Sequence, residues 1–178
     1  MAATMEDALA VLRDRFGYAT FRPGQESVIE ALLAGRDALA IMPTGAGKSI
    51  CYQVPAVLMD GLTLVVSPLI SLMDDQVRSL KEVGIRGSYF NSTLKPRVRP
   101  EVLRRAAAGW YDLMYVAPER LTDPMFREFA AQARVPLLAV DEAHCVSQWG
   151  QDFRPAYRQI ASFVESLPQR PVVAALTA

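Results

Sequence analysis

The segment Ala38-Leu39-Ala40-Ile41-Met42-Pro43-Thr44-Gly45-Ala46-Gly47-Lys48-Ser49 decides the fold. Its first five residues are apolar without polar alternation, which is typical of a strand buried on both faces of a parallel sheet. The remainder matches the pattern G-x-x-x-x-G-K-[ST] in its second glycine, lysine and serine, with Met42 in place of the first glycine. A buried strand, this loop and a following helix together predict a phosphate-binding site.

Short apolar runs alternate with segments of helical length along the whole chain. The other predicted strands are residues 62–66, 88–90, 113–116, 136–140 and 172–176. The predicted helices are residues 24–34, 48–58, 69–83, 97–108, 124–133 and 155–167. Because strand and helix alternate repeatedly, we expect an α/β fold with a mainly parallel central sheet and helices on both faces.

Composition narrows the class of protein further. The chain has 178 residues, 51% of them hydrophobic, and 19 Lys and Arg balance 19 Asp and Glu. This is enough apolar material for one globular domain, and the zero net charge argues against a protein that coats nucleic acid by bulk charge. The apolar runs of about five residues are too short to cross a bilayer, which needs about 20. No secretory signal is evident, and two cysteines, Cys51 and Cys145, predict neither a disulfide framework nor a four-cysteine zinc site.

The phosphate loop assigns chemistry to individual residues. Gly45 and Gly47 free the backbone to direct N–H groups at phosphate oxygens. Lys48 is expected to reach the β- and γ-phosphates, and Ser49 to bind Mg²⁺. The alternative is an ordinary glycine-rich turn with an exposed lysine, which the flanking strand and helix make less favourable.

Two adjacent carboxylates, Asp141 and Glu142, directly follow the predicted strand at residues 136–140. Ligand sites of open α/β sheets lie at this carboxyl edge, so Asp141 is a candidate for holding Mg²⁺ and Glu142 for activating water. Taken alone, the pair is better interpreted as a cap of the next helix. A phosphate loop on a separate strand favours nucleotide hydrolysis. His144 is the only histidine, and its spacing leaves open a linking role or a structural one.

A resemblance to a known family adds to this interpretation. The segment Asp141-Glu142-Ala143-His144-Cys145-Val146-Ser147-Gln148-Trp149-Gly150-Gln151-Asp152-Phe153-Arg154-Pro155 resembles a signature of RecQ-family DNA helicases. Phe16-Gly17-Tyr18, Phe21-Arg22-Pro23-Gly24-Gln25, Ser67-Pro68-Leu69-Ile70-Ser71-Leu72-Met73 and Tyr115-Val116-Ala117-Pro118-Glu119-Arg120-Leu121 resemble further family motifs, in family order. The match extends from about Phe16 to the last residue and is closest to bacterial members.

The resemblance implies a RecA-like ATP-binding domain that uses Mg²⁺. Tyr18 and Arg22 would enclose the adenine and Gln25 would bond its edge, which would select ATP over GTP. The phosphates would be wrapped by Thr44, Gly45, Ala46, Gly47, Lys48 and Ser49. Asp141 would coordinate Mg²⁺ and Glu142 would act as the catalytic base. Ala46 departs from a frequent glycine and should be tolerated if its backbone angle is ordinary.

The resemblance also implies contacts to single-stranded or forked DNA. Ser67 and Pro68 would lie near the strand, with Asn91 and Ser92 in a loop beside the groove. Residues 149–154 resemble an aromatic-rich loop that senses DNA, with Trp149, Phe153 and Arg154 as contacts. Without the resemblance, both aromatics would be interpreted as core residues. Gln151 stands where many members have His, so coupling there is expected to be weaker or different.

Ala175-Leu176-Thr177-Ala178 resembles the opening of the family's motif III. The domain is therefore expected to be incomplete, and a second RecA-like domain with an arginine finger, a zinc-binding element and a winged helix to be absent from this chain. We expect weak ATP binding, little hydrolysis and no unwinding by the chain alone.

For the parent protein the resemblance implies a 3'-5' helicase of DNA repair and recombination, cytoplasmic in bacteria or nuclear in a eukaryote, with no membrane partner. The alternatives are an RNA helicase of the same superfamily and a binding module that docks a nucleotide or partner without turnover.

Overall fold

A computed structural model describes residues 1–147, 150 and 152–178. Its centre is a six-stranded sheet in which every paired strand is parallel to its neighbour, in the order β1-β6-β5-β2-β4-β3. The strands are β1 Ala38–Ile41, β2 Thr63–Val66, β3 Gly87–Phe90, β4 Leu113–Val116, β5 Leu137–Val140 and β6 Val172–Thr177. The residues of β2, β4 and β5 are all buried, as their predominantly apolar sequences predict. The predicted fold class is confirmed.

Helices cover both faces of this sheet. They are α1 Met5–Phe16, α2 Gln25–Leu33, α3 Ile50–Leu58, α4 Ile70–Glu82, α5 Arg99–Ala107, α6 Pro124–Ala130 and α7 Gln159–Ser166. Helices α2, α3 and α4 bury side chains in the core on one face, and α5, α6 and α7 in the core on the other. The predicted helix at residues 155–167 begins as a short 3₁₀ turn, Pro155–Arg158, before α7.

Helix α1 is absent from our sequence-based assignment. It begins at a capping box in which Thr4 and Asp7 bond each other's backbone N–H groups. It ends at Gly17, whose φ of 72° is the left-handed conformation that terminates helices. Ala8 and Leu12 pack with Ile29 of α2, so α1 braces the helices beside the phosphate loop.

The strand order brings the predicted site together. The phosphate loop follows β1 and the carboxylate pair follows β5, with only β6 between these two strands. Parallel strands end at the same edge, so both groups lie at the carboxyl edge of the sheet. Among the described helices, none combines the length and apolar character needed to span a membrane.

Candidate nucleotide site

The phosphate loop presents unpaired backbone donors. Gly45 and Gly47 adopt φ angles of 82° and 79°, while Ala46 between them keeps an ordinary negative φ. Within the described chain, the N–H groups of Gly47, Lys48 and Ser49 have no backbone or side-chain acceptor. They lie at the start of α3, where the helix dipole favours an anion. The loop therefore offers a cluster of donors without protein partners.

The Lys48 side chain of the phosphate loop bonds back to the start of that loop. Lys48 is partly buried, and its Nζ lies 3.4 Å from the carbonyl oxygen of Met42, a long and weak hydrogen bond. Its positive charge also acts on the Asp141 carboxyl group and lowers the pKa of that group. Lys48 thus bonds within its own loop and also acts electrostatically on Asp141.

A cleft of about 230 Å³ lies beside the loop. Tyr18 and Arg22 line it, and the Arg22 guanidinium lies over the Tyr18 ring with Cζ 5.9 Å from the ring centroid. Arg22 also donates to the Gly45 carbonyl at 2.8 Å. An aromatic base between the two groups needs about 7 Å, twice a van der Waals contact. Arg22 and Tyr18 must separate by about an ångström to accept one.

Gln25 is buried against the loop. Its Oε1 accepts from the Arg22 backbone N–H at 2.8 Å, and its Nε2 donates to the Gly47 carbonyl at 2.9 Å. The side chain is only 3% exposed, so these bonds fix the position of the loop relative to the start of α2. Gln25 therefore braces the loop, a role that the sequence did not predict.

The acidic pair sits at the tip of β5. The Asp141 N–H donates to the Val66 carbonyl of β2 at 2.9 Å, which extends the sheet by one bond. Burial, and then the neighbouring Glu142 charge, raise the pKa of Asp141, while the Glu142 N–H and Lys48 oppose this rise. Glu142 has φ 51° and ψ 46°, a left-handed conformation that costs a non-glycine residue about 1–2 kcal/mol. No other non-glycine residue in the described chain has a positive φ. Residues held in such a conformation are concentrated at functional sites.

His144 joins the acidic pair to the last strand. Its Nδ1 lies 2.8 Å from Thr177 Oγ1 in β6 and 3.4 Å from Glu142 Oε2, and its Nε2 lies 3.5 Å from Asp152 Oδ2. Of the two roles that the sequence left open, this geometry favours the linking one.

Three of the predicted DNA contacts, Ser67, Pro68 and Asn91, are buried. Ser67 and Pro68 are buried after β2, and Ser67 Oγ accepts from the Leu69 N–H at 3.3 Å. Asn91 is 1% exposed and accepts from the Thr93 N–H at 2.8 Å, whereas Ser92 is exposed. The side chains of Ser67 and Asn91 therefore shape their loops.

In the predicted DNA-sensing segment, Arg154 is exposed and Phe153 is half-buried under the Arg158 guanidinium, with 5.4 Å between Cζ and the ring centroid. Trp149 and Gln151 lie outside the described residues.

The donor chemistry at the carboxyl edge suits Mg²⁺. No group of three or more His, Cys, Asp or Glu side chains in the described residues could enclose a metal ion. Mg²⁺ usually keeps several waters and binds one or two carboxylates together with substrate phosphates. The Asp141 carboxylate and the Ser49 hydroxyl are sufficient for such a site.

A larger cleft of about 960 Å³ lies at the opposite, amino-terminal edge of the sheet. The three arginines that line it are all paired: Arg86 lies 2.6 Å from Asp112, Arg104 2.7 Å from Glu101 and Arg134 3.0 Å from Asp60. It is remote from the phosphate loop, and we therefore place the site at the carboxyl edge.

Sequence comparisons show to which family the chain is similar. A family model described as DEAD/DEAH box helicase matches residues 22–178. The ATP-dependent DNA helicase RecQ of Haemophilus influenzae is 49% identical over 167 residues, which is 94% of this chain and 27% of that protein. The ATP-dependent DNA helicase RecQ of Bacillus subtilis is 50% identical over 96% of this chain and 29% of its own length. The chain thus spans less than a third of the length of either relative and matches their N-terminal part.

Solved structures agree in fold at low identity. A hypothetical ATP-dependent RNA helicase from Sulfolobus tokodaii superposes with a TM-score of 0.72 at 18% identity, covering 98% of this chain and 51% of that one. The DUF1998 helicase MrfA bound to DNA and AMPPNP gives a TM-score of 0.73 at 19% identity, covering 97% and 26%. With the family model matching most of its length, the chain belongs to the DEAD/DEAH box helicase family.

Proposed function

We propose that this domain binds and hydrolyses ATP with Mg²⁺, as the nucleotide-binding half of a RecQ-type DNA helicase that moves along single-stranded DNA. One observation carries the proposal. The unpaired N–H groups of Gly47, Lys48 and Ser49 lie at the same sheet edge as the partly buried Asp141 carboxyl group, whose pKa is lowered by the Lys48 charge.

Nucleotide binding uses groups that are already near their positions. The free N–H groups receive phosphate oxygens, and Lys48 exchanges its weak bond to Met42 for the β- and γ-phosphates. Arg22 and Tyr18 part to enclose the base. Gln25 Oε1 accepts one hydrogen bond, from the Arg22 N–H. Its second lone pair can accept another from the amino group of adenine. Guanine presents a carbonyl oxygen at that position, so we expect selection of ATP over GTP.

Hydrolysis depends on the acidic pair. Asp141 and Ser49 would hold Mg²⁺, which when bound neutralises charge on the transferring phosphoryl group. Glu142 orients the attacking water and accepts its proton. An arginine finger accelerates such reactions by several powers of ten, so we expect slow turnover by this chain without a second domain.

DNA is the favoured polymer. The relatives that share about half of the residues are named DNA helicases, which supports DNA over RNA as the partner of the predicted segment at residues 149–154. Movement in the 3'-5' direction and a role in repair and recombination belong to the proposed parent protein. Unwinding by the 178 residues alone is not expected.

The proposal is tested by titrating the purified chain with a fluorescent ATP analogue and Mg²⁺. Lys48→Ala should weaken binding at least tenfold, since it removes a charged contact to phosphate. Lys81→Ala, in α4 and exposed, is the matched control and should bind like the unsubstituted chain. Equal affinities for the two variants, or no binding by the unsubstituted chain, would refute nucleotide binding at this loop.

A nucleotide-binding module without turnover is the second candidate, because the chain spans only 27–29% of its relatives' length. Phosphate release can be measured for this chain and for a longer version of the protein, with and without single-stranded DNA or RNA. Turnover that rises with the added polypeptide and with DNA supports the motor. Turnover that stays negligible in both forms supports the module.

A further inference from the structure

Tyr157 contacts the acidic pair from a part of the chain to which we have assigned no function. It lies in the short 3₁₀ turn before α7, and its ring is 1% exposed. Its hydroxyl group donates a hydrogen bond of 2.7 Å to the backbone carbonyl oxygen of Asp141. A buried tyrosine hydroxyl needs a partner, and here the partner is the peptide group that joins Asp141 to Glu142.

That peptide group also bonds the Asp141 carboxyl group. Its N–H, which belongs to Glu142, donates to Asp141 Oδ1 at 3.0 Å. The peptide is planar, so its oxygen and its N–H turn together. A hydrogen bond that fixes the oxygen therefore also fixes the donor that orients the carboxyl group.

The hydrogen bond from the Tyr157 hydroxyl to the Asp141 carbonyl also affects Glu142, the residue with the left-handed backbone. The Asp141 N–H is held by Val66 in β2, so the conformation beyond it depends on the orientation of the 141–142 peptide. On its far side that peptide leads into Glu142, whose left-handed conformation is unfavourable for a side chain that is not glycine. Tyr157 is placed to hold this conformation from the core.

Tyr157 is also tied to the predicted DNA-sensing segment. Its backbone N–H donates to the Arg154 carbonyl at 3.0 Å, and the Arg154 N–H donates to the Cys145 carbonyl at 2.9 Å. The Cys145 N–H in turn donates to the Glu142 carbonyl at 2.9 Å. The end of this segment is thus connected to the acidic pair through the backbone at Cys145 and through the Tyr157 hydroxyl.

We propose that Tyr157 is a positioning residue, whose hydroxyl holds the 141–142 peptide so that the Asp141 carboxylate and the Glu142 side chain face bound Mg-ATP, and that it links residues 152–154 to that pair. The part that concerns Mg-ATP rests on the function proposed above.

The first test needs no ligand. Tyr157→Phe removes only the hydroxyl, and Tyr115→Phe is the matched control, since it removes a buried hydroxyl that lies 3.4 Å from that of Tyr52. In the 178-residue chain, the amide of Glu142 should exchange with solvent roughly three- to tenfold faster in Tyr157→Phe, the factor that one hydrogen bond contributes to an equilibrium. Tyr115→Phe should leave that rate unchanged. If Glu142 exchanges alike in Tyr157→Phe and in the unsubstituted chain, the hydroxyl does not position the peptide and the proposal fails.

The second test isolates the metal-dependent part of binding. Affinity for the ATP analogue is measured with Mg²⁺ and with a chelator in its place. Mg²⁺ raises the affinity for the analogue by some factor in the unsubstituted chain, and this factor should be roughly three- to tenfold smaller in Tyr157→Phe. The affinity measured with the chelator should be unchanged. Tyr115→Phe should change neither. A packing defect would weaken both conditions equally, and that result, or no loss, overturns the positioning role toward Mg-ATP. If the unsubstituted chain binds no nucleotide, the proposed function fails, while the exchange of Glu142 still decides the role of the hydroxyl.

Discussion

Replacing Gly47 by alanine tests whether the hydrogen bond from Gln25 holds the phosphate loop in place. Gly47 has φ 79°, and a Cβ added there would lie 2.5 Å from Gln25 Nε2. That nitrogen must move, although it donates to the Gly47 carbonyl from a residue that is 3% exposed. Gly45→Ala is the matched control, because Gly45 has φ 82° and no atom within 4 Å of the added carbon.

Both substitutions lower the free energy of unfolding through the backbone conformation, and Gly47→Ala lowers it further through Gln25. The left-handed backbone costs alanine about 1–2 kcal/mol at either position. Gly47→Ala also breaks the Gln25 hydrogen bond and leaves a buried amide unsatisfied, which costs about 1–3 kcal/mol more. At about 2–4 °C per kcal/mol for a chain of this size, Gly47→Ala should melt roughly 2–12 °C below Gly45→Ala.

Thermal denaturation followed by circular dichroism, without nucleotide, measures this difference. Adding Gln25→Ala to each variant completes a double-mutant cycle, in which the extra loss at Gly47 should disappear. If Gly45→Ala and Gly47→Ala melt within a degree of each other, or if the extra loss survives in the Gln25→Ala background, Gln25 does not brace the loop.

Three further predictions follow from buried and charged groups. Asp141→Asn should raise the melting temperature by a few degrees in metal-free buffer at neutral pH, because burial and the Glu142 charge disfavour the carboxylate; an unchanged or lower value contradicts this. Phe126→Ala should cost about 3–5 kcal/mol in chemical denaturation, since Phe126 is fully buried among aromatic rings; a cost under 1 kcal/mol would show that the core collapses onto the gap. Asp37→Asn should cost about 1 kcal/mol at neutral pH, because Arg170 and then the Val173 N–H lower the pKa of Asp37. A carboxyl group with a lowered pKa stabilises the fold above its usual value of 3.8 and loses that contribution as the pH falls through the lowered pKa, so the melting curves of Asp37→Asn and the unsubstituted chain should converge in acid.

Strands and phosphate loop were predictable because their signals are local. The strands β2, β4 and β5 carry apolar side chains on both faces, a pattern typical of strands that are covered on both sides of the sheet. The glycines at 45 and 47 have positive φ angles, as a loop that directs N–H groups at an anion requires. These properties depend on a few consecutive residues, so no knowledge of the tertiary fold was needed.

The remaining features depend on residues distant in sequence. Gln25 meets Gly47 and Tyr157 meets Asp141 only after the sheet has assembled, and nothing in the local sequence indicates either hydrogen bond. The burial of Ser67 could not be inferred from a polar residue at a strand end, where exposure is the usual outcome. Helix α1 did carry a local signal, the Thr4 and Asp7 capping box, which our assignment overlooked.

The free site is prepared for phosphates more completely than for a base. Among the described residues, the N–H groups of Gly47, Lys48 and Ser49 have no competing acceptor, so the triphosphate of the proposed ligand would meet donors already fixed by α3 and by Gln25. Arg22, in contrast, donates to the Gly45 carbonyl at 2.8 Å and stacks on Tyr18, and adenine must disturb both contacts. Because Gly45 belongs to the phosphate loop, releasing Arg22 also frees one end of that loop. Binding of the base is therefore coupled to the shape of the phosphate site, and a nucleotide that engages both should order the loop more than inorganic phosphate can.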